Sequence, residues 1–257
     1  MRASSPLGPG GSRVNRILGL VRSLAIYRGI PLRQRRLRRL YQSFVTPGDL
    51  VFDIGAHAGN RARAFASLGC RVVAVEPQPD FAWLLRKLFH RSSEVVIVEA
   101  AVTNAIGRRL LSLSERTPTV TTLENGWRDA RSGDQDFSRV RWNRRIEIET
   151  VTLDHLIERF GLPAFVKIDV EGSEPAVLAG LTQALPALSF EYLPRALDEV
   201  EACLDRLRAL GRYRFNWSIG ESGRMESVRW LDDQELLVAL RTPAAQRRNG
   251  DVYTLRS

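Results

Sequence analysis

Leu50 Val51 Phe52 Asp53 Ile54 Gly55 Ala56 His57 Ala58 Gly59 Asn60 reads as a buried strand, a tight turn and the start of a helix. The short apolar run suits a parallel strand covered on both faces, and two glycines four residues apart let the turn backbone approach a ligand without Cβ clashes. The helix that follows opens with free N–H groups facing the turn, a setting for a carboxylate or a phosphate. A dinucleotide fingerprint is spaced G-x-G-x-x-G, its second glycine admitting the pyrophosphate. His57 stands at that position between Gly55 and Gly59, which disfavours NAD.

Asp53 lies just before the turn. An acid beside an open turn suits a ligand carrying both an ammonium and a carboxylate, and the amino-acid end of S-adenosylmethionine is such a group. Ala56, His57 and Asn60 belong to the same turn and helix start. A helix over 60–68 leads through Gly69 to a second buried strand, 71–75, that ends in Glu76, 23 positions after Asp53. That matches the offset of roughly 20 residues at which a carboxylate reaches ribose hydroxyls in nucleoside-binding α/β folds. Pro77 and Pro79 fix the turn behind Glu76, which favours the ribose role over that of a solvated strand-end acid.

Onward, 81–89 reads as an apolar helix, with Trp83 assigned to the core rather than to an adenine stack, and 95–98 as the third strand. Segments 110–114 and 145–151 flank a polar, aromatic-dotted stretch, 115–144, and read as extra strands around a loop. Thr152 caps a helix over 153–160, and Pro163 leads into a fourth strand over 164–168. Helix 174–185, strand 187–191, helix 197–210, strand 213–217 and a final strand over 251–255 continue the alternation. Alternating strands and helices imply a doubly wound parallel α/β sheet.

Asp169 Val170 Glu171 Gly172 stands at the carboxyl end of the fourth strand, across the crevice where such sheets bind ligands. Asp169 and Glu171 are expected to face opposite ways, so that one of them meets the ligand. Asp169 is assigned to cofactor and acceptor. Glu171 holds the loop, against Lys167, or receives the acceptor's proton. His57 is a further candidate base, although a single His on a turn more often fixes its loop. A divalent cation on Asp169 with Glu191 at the end of the fifth strand is a minor alternative, and no metal is assigned.

The ordered set of Val51 to Asn60, Val73 to Pro77, Ala101 Val102, Thr152 to Asp154 and Val166 to Gly172 resembles the FkbM-type family of class I S-adenosylmethionine-dependent methyltransferases, over most of residues 40–257. The resemblance implies a Rossmann-like seven-stranded sheet of order 3-2-1-4-5-7-6 with the last strand antiparallel. It also implies that Glu99, Ala100 and Ala101 hold the adenine edge and that Asp53, Gly55, Gly59, Glu76 and Pro77 belong to the cofactor site. The activity it implies is O-methylation of a hydroxyl on a sugar, glycan or natural product. Methyl transfer from a sulfonium is an in-line displacement with a neutral leaving group, so alignment and desolvation supply much of the rate and a base removes the hydroxyl proton.

The net charge of +9 is unevenly placed. Residues 1–48 hold ten arginines and no acid, which leaves the body near neutral, and Lys87 and Lys167 are the only lysines. Residues 1–12 read as disordered, followed by two amphipathic helices with Arg-rich outer faces, one over 14–25 and one after Pro31. They are expected to dock on the sheet, the alternative being contact with an acidic membrane surface or nucleic acid. Residues 1–46 are thus read as a basic extension and 47–257 as the methyltransferase domain. No run of 18 uncharged apolar residues exists and no signal peptide is read, so a cytoplasmic enzyme with two buried thiols, Cys70 and Cys203, is expected. A nucleic-acid methyltransferase is disfavoured because Val170 Glu171 Gly172 supplies neither proline nor ring to hold a splayed base. A non-catalytic protein keeping the fold is disfavoured by the intact Asp53, Glu76 and Asp169.

Overall fold

The computed structural model describes residues 31–113, 121–122 and 144–257. Its centre is β1 (Leu50–Ile54), every residue of which is buried because helices cover both faces. Val51 points into one core, with Phe65, Val72, Leu85 and Phe165; its neighbours Leu50, Phe52 and Ile54 point into the other, with Val73, Val166, Leu178 and Leu204. The short apolar strand, broken only by Asp53, therefore serves two cores by simple alternation.

β1 pairs in parallel with β2 (Arg71–Val75) on one side and with β8 (Phe165–Ile168) on the other. Beyond β2 lies β3 (Val95–Val98); beyond β8 come β9 (Ala187–Tyr192), β11 (Gly250–Arg256) and β10 (Tyr213–Ile219), giving the order β3-β2-β1-β8-β9-β11-β10. With β8 counted as the fourth strand of this sheet, the order is the expected 3-2-1-4-5-7-6, and β11 runs antiparallel to both neighbours. The chain reverses from one wing to the other at β1 and β8, so their carboxyl ends open a crevice. A second sheet joins β4 (Ala101–Val102), β7 (Arg144–Val151), β5 (Gly107–Leu113) and β6 (Thr121–Thr122) in the order β4-β7-β5-β6.

On one face, α1 (Pro31–Tyr41) lays Leu37, Leu40 and Tyr41 against Phe65 of α2 (Asn60–Ser67) and Phe165 of β8. Its Arg35, Arg36, Arg38 and Arg39 are exposed. The opposite face carries α4 (Leu153–Phe160), α5 (Glu174–Ala179), α6 (Leu197–Leu210) and α7 (Asp233–Leu240). Thr152 caps α4 by accepting from the His155 N–H. The helix expected over 174–185 stops at Ala179, because Gly180 passes so close to the loop after β4 that a Cβ there would sit 2.4 Å from the Thr103 carbonyl oxygen. Leu181 and Leu185 are nonetheless fully buried, which is why their spacing imitates a longer helix.

α3 (Pro79–Leu88) buries Phe81, Ala82, Leu84 and Leu85 but leaves Trp83 56% exposed, with the Lys87 ammonium over its ring. The assignment of Trp83 to the core is corrected accordingly. The expected helix over 14–25, the disordered start and most of the 115–144 loop lie outside the described residues. Among the described residues no helix is long and apolar enough to cross a membrane.

Candidate active site

The turn after β1 is wound by three left-handed residues, Gly55, His57 and Gly59 (φ 80°, 46° and 76°). The N–H groups of Gly55 and Ala56 both donate to the Val75 carbonyl, tying the turn to the end of β2. Gly55 has no room for a side chain: a Cβ there would lie 1.8 Å from the Asp169 carbonyl oxygen. The glycine thus lets the β1 turn and the loop after β8 touch, backbone to backbone.

Glu76, at the end of β2, is buried and completes the turn. Its Oε2 accepts the His57 N–H at 2.8 Å and its Oε1 accepts the Gln78 N–H at 2.9 Å. Burial pushes its pKa up to about 7 despite those donors. Asp53 is 1% exposed, its Oδ2 receives no hydrogen bond, and burial raises it to about 6. The half-buried His57 ring lies 3.9 Å from that of Phe81, and desolvation lowers its pKa to about 4, so the ring is neutral at pH 7.

An open cavity unites these groups. It is lined by Asp53, Gly55, Ala56, His57 and Asn60 from β1 and its turn, by Glu76 and Pro77, by Ala100 and Ala101, and by Asp169 and Glu171 across the crevice. Gly59, Glu99 and Lys167, grouped with them from the sequence, do not line it. Gly59 packs against α3, where a Cβ would meet Leu85 at 2.7 Å. Glu99 turns outward to Arg86 at 2.7 Å. Lys167 is fully buried beneath the cavity floor and donates to Asp251 Oδ1 at 2.7 Å rather than to Glu171.

The expectation that Asp169 and Glu171 face opposite ways is corrected. Residues two apart on an extended chain share a face, and although β8 ends at Ile168 and Glu171 is left-handed (φ 54°), both side chains reach the cavity. The carboxylates of Asp169, Glu171 and Glu191 come within 4.8 Å of one another. Burial would raise Asp169, but Lys167 and Arg61 hold it below the usual carboxylate range. Burial, Asp169 and Glu174 instead push Glu171 well above that range, and burial with the same acidic neighbours does so for Glu191. Under Glu171 the loop is braced by the Val170 N–H, which donates to Glu174 at 3.0 Å.

Arg61, Glu191, Glu221 and Asp251 also line the cavity. Sequence reading gives three of them no role and places Glu191 there only as a metal partner. The Arg61 guanidinium lies 3.7 Å from Asp169, 3.6 Å from Glu221 and 3.8 Å from Asp251, joining the loops after β8 and β10 to the start of β11 across the cavity. Arg61 stands one residue past the quoted stretch, on the first turn of α2, and is the easiest of these to find. Asp251 is legible only with the direction of β11 in hand.

A Rossmann-like sheet of this strand order, with a glycine turn and two strand-end acids facing one crevice, defines the class I methyltransferase architecture. Residues 53–215 match the methyltransferase FkbM domain, and the chain belongs to that family. It is 30% identical over 155 residues to the hexuronic acid methyltransferase AglP of Haloferax volcanii, a match covering 55% of this chain and 54% of the relative. The chain thus matches about half the length of that relative. Among solved structures, it resembles precorrin-6y C5,15-methyltransferase from Geobacter metallireducens at 13% identity (TM-score 0.45, 88% of this chain and 87% of that one). A second, the S-adenosylmethionine-dependent O-methyltransferase of Thermotoga maritima, aligns at 12% identity (TM-score 0.40, 100% and 68%).

Proposed function

We propose that this methyltransferase uses S-adenosylmethionine to methylate a sugar hydroxyl. The observation that carries the reading is the cavity wall itself, in which a buried carboxylate with an unmatched oxygen, Asp53, stands beside a backbone turn whose His57 N–H Glu76 holds. A buried carboxylate oxygen without a donor is costly unless a ligand supplies one, and an α-ammonium would do so. Glu76 keeps further lone pairs for two ribose hydroxyls, and Ala100 with Ala101 offers a flat apolar edge for an adenine. When bound, the cofactor supplies an electrophilic methyl group. Asp169 then aligns the acceptor, and Glu171, raised well above the usual carboxylate range by burial and like charge, takes the hydroxyl proton once it is ionised. His57 is left as a turn former because its low pKa makes it a weak base. The sugar class rests on the similarity to a hexuronic acid methyltransferase, and a small-molecule or glycan acceptor fits an open cavity.

Calorimetry with S-adenosylhomocysteine, followed by transfer of labelled methyl from S-adenosylmethionine to a panel of neutral sugars and uronic acids, tests the reading. Glu76→Ala removes two charge-assisted hydrogen bonds and should weaken binding by about 2 to 4 kcal/mol. Preferential binding of NAD, or unchanged affinity in the variant, would overturn it.

A further inference from the structure

β11 runs against its neighbours, so its first residues lie where the parallel strands end. Asp251, paired across to Glu191 of β9, is thereby set at the cavity beside Asp169. The preceding residue must be glycine for this to happen, since a Cβ on Gly250 would stand 1.9 Å from the Ser218 carbonyl oxygen. Asp251 Oδ1 accepts from the Lys167 ammonium at 2.7 Å, and Oδ2 accepts from the Tyr253 hydroxyl at 3.2 Å. The ammonium also donates to the Ile168 carbonyl at 3.1 Å, while Asp169 Oδ2 stands off at 3.6 Å.

An ammonium has three donors, and two are engaged here. Lys167 is fully buried, and burial alone would lower its pKa, but Asp251 and Asp169 outweigh that and keep it charged. A buried cation closes on whichever carboxylate is left to it, because attraction at short range in a poorly solvated site is strong. Asp251 takes the close contact at present, and the Asp169 side chain, with Lys167 at 3.6 Å and Arg61 at 3.7 Å, stays 26% exposed toward the cavity. We infer that Asp251 is a positioning residue that holds the Lys167 ammonium off Asp169 and so keeps the Asp169 carboxylate open to a ligand. The ligand part of this inference rests on the proposed cofactor site; the ion pair does not.

The chain's two lysines make the pair directly observable. Full-length protein labelled with ¹⁵N-lysine gives ammonium signals from Lys87 and Lys167, assigned with Lys87→Arg. Asp251→Asn is expected to shift the Lys167 signal and to speed its hydrogen exchange at least tenfold, and Asp169→Asn, whose carboxylate stands farther off, to disturb it less. S-adenosylhomocysteine affinity, measured in parallel, is expected to fall about tenfold in Asp251→Asn and to recover largely in Asp251→Glu. If Asp169→Asn disturbs Lys167 more than Asp251→Asn does, or if both Asp251 variants bind like wild type, the positioning role is overturned. Should Asp251→Asn fail to fold, Asp251→Glu takes its place, and a Lys167 signal displaced more by Asp169→Asn than by Asp251→Glu overturns the role. A Lys167 response as expected in a protein that binds no S-adenosylhomocysteine supports the ion pair and instead refutes the cofactor reading.

Discussion

The Glu76 carboxylate accepts the backbone N–H of His57 at 2.8 Å, so the acid at the end of β2 holds the glycine turn that follows β1. Two strand ends are thereby locked together before any ligand arrives, and a rigid turn loses little entropy on binding.

The buried Glu76 carboxyl has a measurable pH signature. Burial raises Glu76 from 4.5 to about 7, so the folded state holds its proton over a window in which the unfolded chain has lost it. The stabilisation from this group is full below the unfolded pKa and is lost as pH rises through about 7. Glu76→Gln does not titrate. In urea unfolding at pH 5 and pH 7.5, the stability of wild type relative to the variant should fall by roughly 2 kcal/mol on going to the higher pH. A difference that stays constant between the two would show that Glu76 does not titrate in that window.

Gly55→Ala tests the contact between the β1 turn and the β8 loop. The added Cβ meets the Asp169 carbonyl oxygen, and alanine at φ 80° is strained as well. Left-handed strain costs about 1 to 2 kcal/mol and overpacking about 1 to 3 kcal/mol more, so the variant should lose at least about 2 kcal/mol of stability in urea unfolding, with S-adenosylhomocysteine binding lost. Gly48→Ala is the control. Gly48 is also left-handed, yet a Cβ placed on it would meet nothing within 4 Å, so strain alone is expected there.

Lys167→Met keeps the volume of the side chain but leaves Asp251 without its direct partner. Removing one member of a buried pair costs about 3 to 5 kcal/mol, and the companion change Asp251→Asn should recover part of it. Urea midpoints of the two single variants and the double variant measure the coupling. Strict additivity would mean that the two side chains do not interact.

How much of this is readable from the sequence depends on what each feature rests on. The strand, turn and helix at 50–60 depend on local pattern, and β1, α2 and the acid at the end of β2 lie where that pattern puts them. The strand order comes from the family resemblance, because periodicity carries no information about which strands pair. Glu171 joins Asp169 at the cavity, as the two-residue period of an extended chain already allows, whereas its left-handed backbone is a loop property invisible in a strand pattern. Lys167 finds a partner other than Glu171 because Asp251 is 84 residues away and reaches it only through the antiparallel course of β11. Glu99 sits beside Ala100 and Ala101 in sequence, yet Arg86 on α3 draws it outward.

The chemical step can be assigned with three conservative variants, once an acceptor from the sugar panel is in hand. Asp169→Asn keeps the shape of the site and removes the charge that aligns the acceptor, so kcat should drop by roughly 10² or more at saturating acceptor. Glu171 is raised well above the usual carboxylate range by burial and by Asp169 and Glu174, so as a base it becomes competent only as pH rises through its own pKa. In wild type, kcat should therefore climb with pH along an acidic limb, and Glu171→Gln should lose both the limb and most of the rate while S-adenosylhomocysteine affinity holds. His57, lowered to about 4 by burial, is already neutral over that range and cannot produce such a limb near neutrality. His57→Asn is accordingly expected to alter stability more than the pH profile. An acidic limb that survives in Glu171→Gln and vanishes in His57→Asn would move the base to the turn, and near-normal turnover in both Asp169→Asn and Glu171→Gln would place the reaction elsewhere.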